Sequence, residues 1–201
     1  MKFIRGILKE KKVIIQFISG LIAGMNTDNT NASLSTAVSS MKKGINKIPK
    51  EVITSIYNDE ILVVINFITE ETINWIDDDG RTLLFHSIIS KSINMIDLLL
   101  KRGSSTIIQD RLGWSPLHYA AQNNDLEGAK LLIEYGANLE CKDAYGNTPL
   151  WRAVFSSMGM GDMIQLLLSK GADPGNHNNS DISPIQLANT IANYNTKQFF
   201  D

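Results

Sequence analysis

Three glycines stand 33 residues apart, Gly80, Gly113 and Gly146, and each opens nearly the same phrase: GRTLLFHS, GWSPLHYA and GNTPLWRA. A second series, Gly103, Gly136 and Gly171, closes LLLKRG, LLIEYG and LLLSKG in steps of 33 and then 35. A chain with an internal period of this length builds one supersecondary unit per period and buries its apolar surface by stacking the units. The two extra residues fall within SSMGMGD of the third unit, where two glycines permit a longer turn between helices.

Each unit carries its own helix signals: Ser or Thr as N-cap, Pro116 or Pro149 in the first turn, and Gly at the exit. In the second unit this predicts one helix over Pro116–Asn123 and another over Leu126–Tyr135, with NND as the turn between them. Leu117, Ala120 and Ala121 give the first helix a small apolar face for close approach, and Leu131, Leu132 and Ile133 give the second its bulk. Neither face is covered within its own unit. Stacking covers both, at about 25 cal/mol per Å² of apolar area.

The unit SPLHYAAQNNDLEGAKLLIEYGANLECKDAYG, together with the exits Ala137–Asn138 and Ala172–Asp173, closely resembles the ankyrin repeat. The resemblance implies an all-α ankyrin-repeat solenoid of about five units, near 46–76, 77–109, 110–142, 143–177 and 178–201, preceded by an N-terminal helical extension and linker over 1–45. The unit from Asp77 departs from the pattern, with Leu83 for the proline, Phe85 for the histidine and no Ala-Asp exit, and should be less regular at its ends. The unit near 46–76 is degenerate, with Glu70 where the glycine belongs. DISPIQLANTIANYNTKQFFD reads as the helices of a closing cap with a polar outer side.

The beginning of the chain is judged separately. MKFIRGILKEKK is basic and VIIQFISGLIAG apolar, as in a secretory signal, but no A-x-A site follows and twelve residues are too few to span a bilayer about 30 Å thick. Ile4, Ile7, Leu8, Ile14, Ile15, Ile18 and Ile22 share one helical face, so an amphipathic packing or partner-facing helix is preferred. As a signal or anchor the segment 1–25 would instead place the chain in the periplasm or on a membrane. NTDNTNASLS reads as a polar linker before a short helix from Ser33 to Lys43.

Nineteen Lys plus Arg against 21 Asp plus Glu give a net charge of −2, with no field to recruit nucleic acid. The one cysteine, Cys141, excludes an intramolecular disulfide framework and fits a reducing, cytoplasmic setting. No phosphate-binding glycine loop, G-x-S-x-G elbow or H-E-x-x-H pair is present, so no catalytic residue, cofactor or metal is expected. By the resemblance, His118 is structural and bonds nearby backbone across repeats. His86, one register later, has no carboxylate or cysteine partner evident in the sequence. The acidic run Asp77, Asp78 and Asp79 matches Asp110 and Asp143 at the start of the next units and reads as a solvated turn.

In ankyrin-like stacks the hairpin tips and the outward positions of each first helix line a concave strip. Register places Asp78, Asp79 and Arg81, then Arg111, Leu112 and Trp114, then Tyr145 and Asn147 at the tips. On the helices it places His86, then Tyr119, Gln122 and Asn123, then Arg152 and Phe155. Aromatic and Arg side chains of this kind dominate interface hot spots, although Trp114 has two readings, free on the strip or packed on the next hairpin. The expected partner is a protein. GNTPLWRAVF, the glycine-containing insertion and the ending SPIQLANTIANYNTKQFF resemble bacterial ankyrin proteins that serve as immunity partners of secreted antibacterial toxins, which implies a cognate toxin or effector domain as that partner. A regulatory adaptor and a membrane-associated scaffold using residues 1–25 are the alternatives.

Overall fold

Short helices persist in this chain because their apolar faces are covered by neighbours and several first turns are capped by local side chains. The computed structural model describes residues 47–191 and 194–200. The chain divides after Ile45, and the described residues belong to the second of its two units, Asn46–Asp201. The expected amphipathic helix, linker and short helix before residue 45 lie outside the described residues.

Four helix pairs and a closing helix follow in order: α1 Lys50–Tyr57 with α2 Ile61–Phe67, α3 Leu83–Ile89 with α4 Ile93–Lys101, α5 Pro116–Gln122 with α6 Leu126–Glu134, α7 Pro149–Ser156 with α8 Asp162–Ser169, and α9 Pro184–Thr190. The first helices pack in the series α1, α3, α5, α7, α9, and the second helices in the series α4, α6, α8. This is the all-α solenoid expected, and the helices of the second unit fall within one residue of the sequence reading.

The caps explain where the helices begin. Thr148 Oγ1 accepts the amide of Trp151 at 3.2 Å, and Asp125 accepts that of Gly128 at 3.0 Å. Ser183 and Gln186 bond reciprocally. Thr82, in the departing repeat, makes no side-chain cap bond.

Along the stack, Leu84, Leu117 and Leu150 occupy one register and are fully buried, each such burial contributing about 1.5–3 kcal/mol. Ser87, Ala120 and Ala153 lie three positions on, where only small side chains allow neighbouring first helices to approach closely. The hairpins between repeats are joined by backbone bonds in the same rhythm: Arg111 N–H to Asp79 O at 2.9 Å, Ala144 N–H to Leu112 O at 3.0 Å and Asn179 N–H to Tyr145 O at 3.0 Å.

The closing unit differs from the expectation of two helices. Among its described residues it has α9 and then a 3-10 turn, Thr196–Phe199. Asn189, Thr190 and Asn195 are poor helix formers, and Phe199 turns back so that its ring lies against Gly161, in space that a side chain there would fill. Tyr194 lies similarly over Gly159. The insertion between α7 and α8 thus receives the C-terminal segment.

Candidate partner-binding surface

Three successive repeat hairpins are each built on one acidic residue. Asp77 Oδ1 accepts the amides of Asp79 and Arg81 at 2.8 and 2.9 Å. Asp110 does the same for Leu112 and Trp114, and Asp143 for Tyr145 and Asn147. The other oxygen takes a donor nine residues on, from the following helix: His86 Nε2 on Asp77 at 2.9 Å, the Tyr119 hydroxyl on Asp110 at 2.7 Å, and Arg152 Nε on Asp143 at 3.0 Å. In the last hairpin Asn178 replaces the acid, and Leu187, which has nothing to donate, stands nine residues on. The Asn178 amide instead donates to Asn147 Oδ1 at 2.8 Å, so the two replacements are chemically matched.

This bracing removes several residues from the free surface. Trp114, with 9 % of its area exposed, lies beneath the Arg152 guanidinium, 4.3 Å from the ring centroid, with Tyr119 at 4.9 Å beside it. His86 is buried between Asp77 and Tyr57, whose hydroxyl lies 3.0 Å from Nδ1. Asn147 is buried too, bonding Asp143 and Asn178 and offering its carbonyl to His118. All three were placed on the strip by register, Trp114 with packing on the next hairpin as its second reading, and all three are buried: the following repeat covers Trp114 and Asn147, and Tyr57 of the preceding helix pair covers His86. Arg81, Tyr119, Asn123 and Arg152 are partly buried.

Burial sets the electrostatics of the braces. It pushes the Asp143 carboxyl up, but the bonds from Arg152 and Asn147 outweigh it and hold the group below its ordinary 3.8. Burial and the bond to Asp110 push the Tyr119 hydroxyl up to about 12. His118 Nδ1 accepts the Ser115 N–H and O–H at 3.1 and 2.8 Å, so Nε2–H donates to the Asn147 carbonyl at 3.0 Å. Burial lowers its pKa despite that last bond. A neutral histidine locked in one tautomer is a strut between repeats, as expected of it.

What stays exposed is a smaller set. Asp78, paired with Lys47, and Asp79 mark the first tip, Arg111 and Leu112 the second, and Tyr145 the third, with Gln122 and Phe155 on the helices. Leu112 is 52 % exposed, Phe155 61 % and Tyr145 65 %. Leu112 and Tyr145 hold the same hairpin register on tips joined by backbone bonds. Tyr57, half exposed at the end of α1, was missed by sequence reasoning because its helix lies outside the clear repeats. Met158 and Met160, in the insertion, are also exposed, and the signal for them was the glycine-spaced insertion itself.

Among the described residues no helix is long and apolar enough to cross a membrane. Comparison with known proteins agrees with the architecture. The family described as ankyrin repeats (3 copies) matches residues 52–143 and 102–178. A putative ankyrin repeat protein of fowlpox virus is 32 % identical over 116 residues, which is 56 % of this chain and 19 % of that protein. The B-cell lymphoma 3 protein homolog of Mus musculus is 32 % identical over 111 residues, 55 % of this chain and 24 % of the relative. A putative ankyrin repeat protein of Rickettsia felis is 32 % identical over 99 residues, 48 % of this chain and 32 % of the relative. The chain therefore spans a third or less of the length of these relatives. Repeat period, braced hairpins and family match converge over the same residues, and the chain belongs to the ankyrin-repeat family, whose members are typically non-enzymatic protein-binding modules.

Proposed function

We propose that this chain captures one protein partner stoichiometrically on the exposed tips, and that the partner is a secreted bacterial toxin or effector domain which it neutralises as an immunity protein in the cytoplasm. The observation that carries the capture reading is the exposure of Leu112, Tyr145 and Phe155 on a frame in which Trp114, Tyr119 and Arg152 are braced. Large apolar side chains at rigid, solvent-facing positions lose little entropy on binding and dominate interface energetics. The toxin reading rests on the likeness of GNTPLWRAVF, the insertion and the chain's ending to bacterial immunity ankyrins; a Rickettsia protein among the relatives is in keeping with a bacterial setting.

The test uses the full-length chain and an Arg111→Ala, Leu112→Ala, Tyr145→Ala, Phe155→Ala variant. Trp114, Tyr119 and Arg152 are left intact because they hold the hairpins. Co-purification from the native cells should yield one partner at one-to-one ratio, lost from the variant, with each hot-spot residue contributing about 2 kcal/mol or roughly 30-fold in Kd. Co-expression should restore growth to cells producing that partner. A captured partner that does not harm cells turns the reading toward an adaptor. Capture that survives the variant but requires residues 1–25 moves the function to the N-terminal segment and toward membrane association.

A further inference from the structure

His86 differs from its counterparts in the next two repeats. All three side chains brace a hairpin acid from nine residues away, but of the three residue types histidine is the one whose ordinary charge change falls between pH 5 and 8. His86 also reaches backward, out of its own repeat, to the Tyr57 hydroxyl of α1. The two rings meet edge to face at 5.9 Å. The imidazole thus links the irregular first helix pair to the first regular repeat.

The bonding fixes the tautomer. Asp77 already accepts two backbone amides through Oδ1, and its Oδ2 acts as acceptor again, so His86 Nε2 carries the hydrogen. Nδ1 is then a bare acceptor, and Tyr57 O–H donates to it. We propose that His86 is a proton-sensitive joint: protonation puts a hydrogen on Nδ1, forces the Tyr57 hydroxyl to turn from donor to acceptor, and places a charge in this buried contact, which loosens α1 and α2 from the stack.

The groups bearing on the imidazole are Tyr57 from α1, and Asp77, Asp79 and Arg81 from the hairpin. From α5 the titratable neighbour is Tyr119, already bonded to Asp110. Burial disfavours the imidazolium most, Arg81 adds to this, and Asp77 and Asp79 oppose it; the balance sets the folded pKa below the ordinary 6.5. The opened state therefore binds the proton more tightly. The joint contributes fully above about pH 6.5 and is lost as pH falls toward and through the lower folded value.

Hydrogen exchange of the full-length chain from pH 8 to pH 5, corrected for intrinsic rate, reads this directly, with the His86 ring followed by NMR. The His86 ring should titrate below its ordinary range. Protection of α1 and α2 amides should fall on acidification by about tenfold for each unit between the opened and folded pKa values, while amides of α5 to α8 fall less. His86→Gln, whose neutral amide can both donate and accept, should hold protection level across the range. Tyr57→Phe should start with weaker protection of α1. Constant α1 protection in the wild type, or a slope as steep in His86→Gln, would overturn the proposal. Should His86→Gln fail to fold, a wild-type His86 ring that titrates at or above its ordinary range overturns it equally.

Discussion

Replacing Gly113 by alanine separates two reasons for a glycine. Its φ is 75°, a conformation that costs an L-residue about 1–2 kcal/mol. An added Cβ would also stand 2.8 Å from the Ala144 nitrogen and 3.1 Å from the Asp143 carbonyl carbon. These are backbone atoms of the next hairpin, and Ala144 N–H is the donor that joins the hairpins at Leu112 O. Overpacking of this kind costs about 1–3 kcal/mol more, for a total of about 2–5 kcal/mol. Gly136, at the exit of α6, has φ 82° but nothing within 4 Å of its would-be Cβ. Gly136→Ala should therefore cost the conformational part alone, about 1–2 kcal/mol. Urea unfolding of the two variants measures the difference. Equal losses would refute the argument that hairpin contact, beyond dihedral preference, imposes glycine at the tips. Asp181 supplies a third reading, for it holds the same register at φ 59° in the last hairpin. Asp181→Gly should move stability by less than about 1 kcal/mol.

Arg152→Ala leaves the buried Asp143 carboxylate without its ion partner and uncovers Trp114, so unfolding should become easier by about 3–5 kcal/mol, read by denaturation. Because the folded Asp143 carboxyl lies below its ordinary 3.8, its contribution is present above that value and lost as pH falls through the lower folded one. The fall in stability below pH 4 should be shallower in Arg152→Gln than in the wild type, and an unchanged slope would exclude this brace as its source. Asn178→Asp places a carboxylate where Leu187 offers no donor and Asn147 Oδ1 offers only an acceptor, costing about 1–3 kcal/mol. Adding Leu187→Arg should recover most of that loss, and a double-mutant cycle with no coupling would refute the nine-residue rule.

The helix limits were legible because caps and prolines act within a single turn: Ser115 with Pro116 and Asp125 with Gly128 need no distant partner. The nine-residue brace was missed: Asp77–His86, Asp110–Tyr119 and Asp143–Arg152 stand in the sequence, yet His86 was read as lacking a carboxylate partner, because the pairing with Asp77 depends on how the hairpin folds back onto its helix. The burial of Trp114 was not settled by the sequence, which left it free on the strip or packed on the next hairpin, since what covers it is Arg152, a residue of the following repeat and 38 positions away. Nor was the partner of His86 in α1, because a degenerate unit has no register from which to place Tyr57.

The tip position shared by Asp79, Leu112, Tyr145 and Ser180 shows why function had to be sought apart from the repeat. There the frame uses the main chain: the carbonyls of Asp79, Leu112 and Tyr145 accept the next hairpin's amide, and the side chains are exposed. A position braced through its backbone leaves its side chain unconstrained by folding, and this one varies from acid to leucine to tyrosine to serine. Leucine and tyrosine more than half exposed at such a position gain nothing for the stack. On the proposed reading their contacts come from another molecule, with the binding energy on the tips rather than on the Trp114–Arg152 brace beneath them.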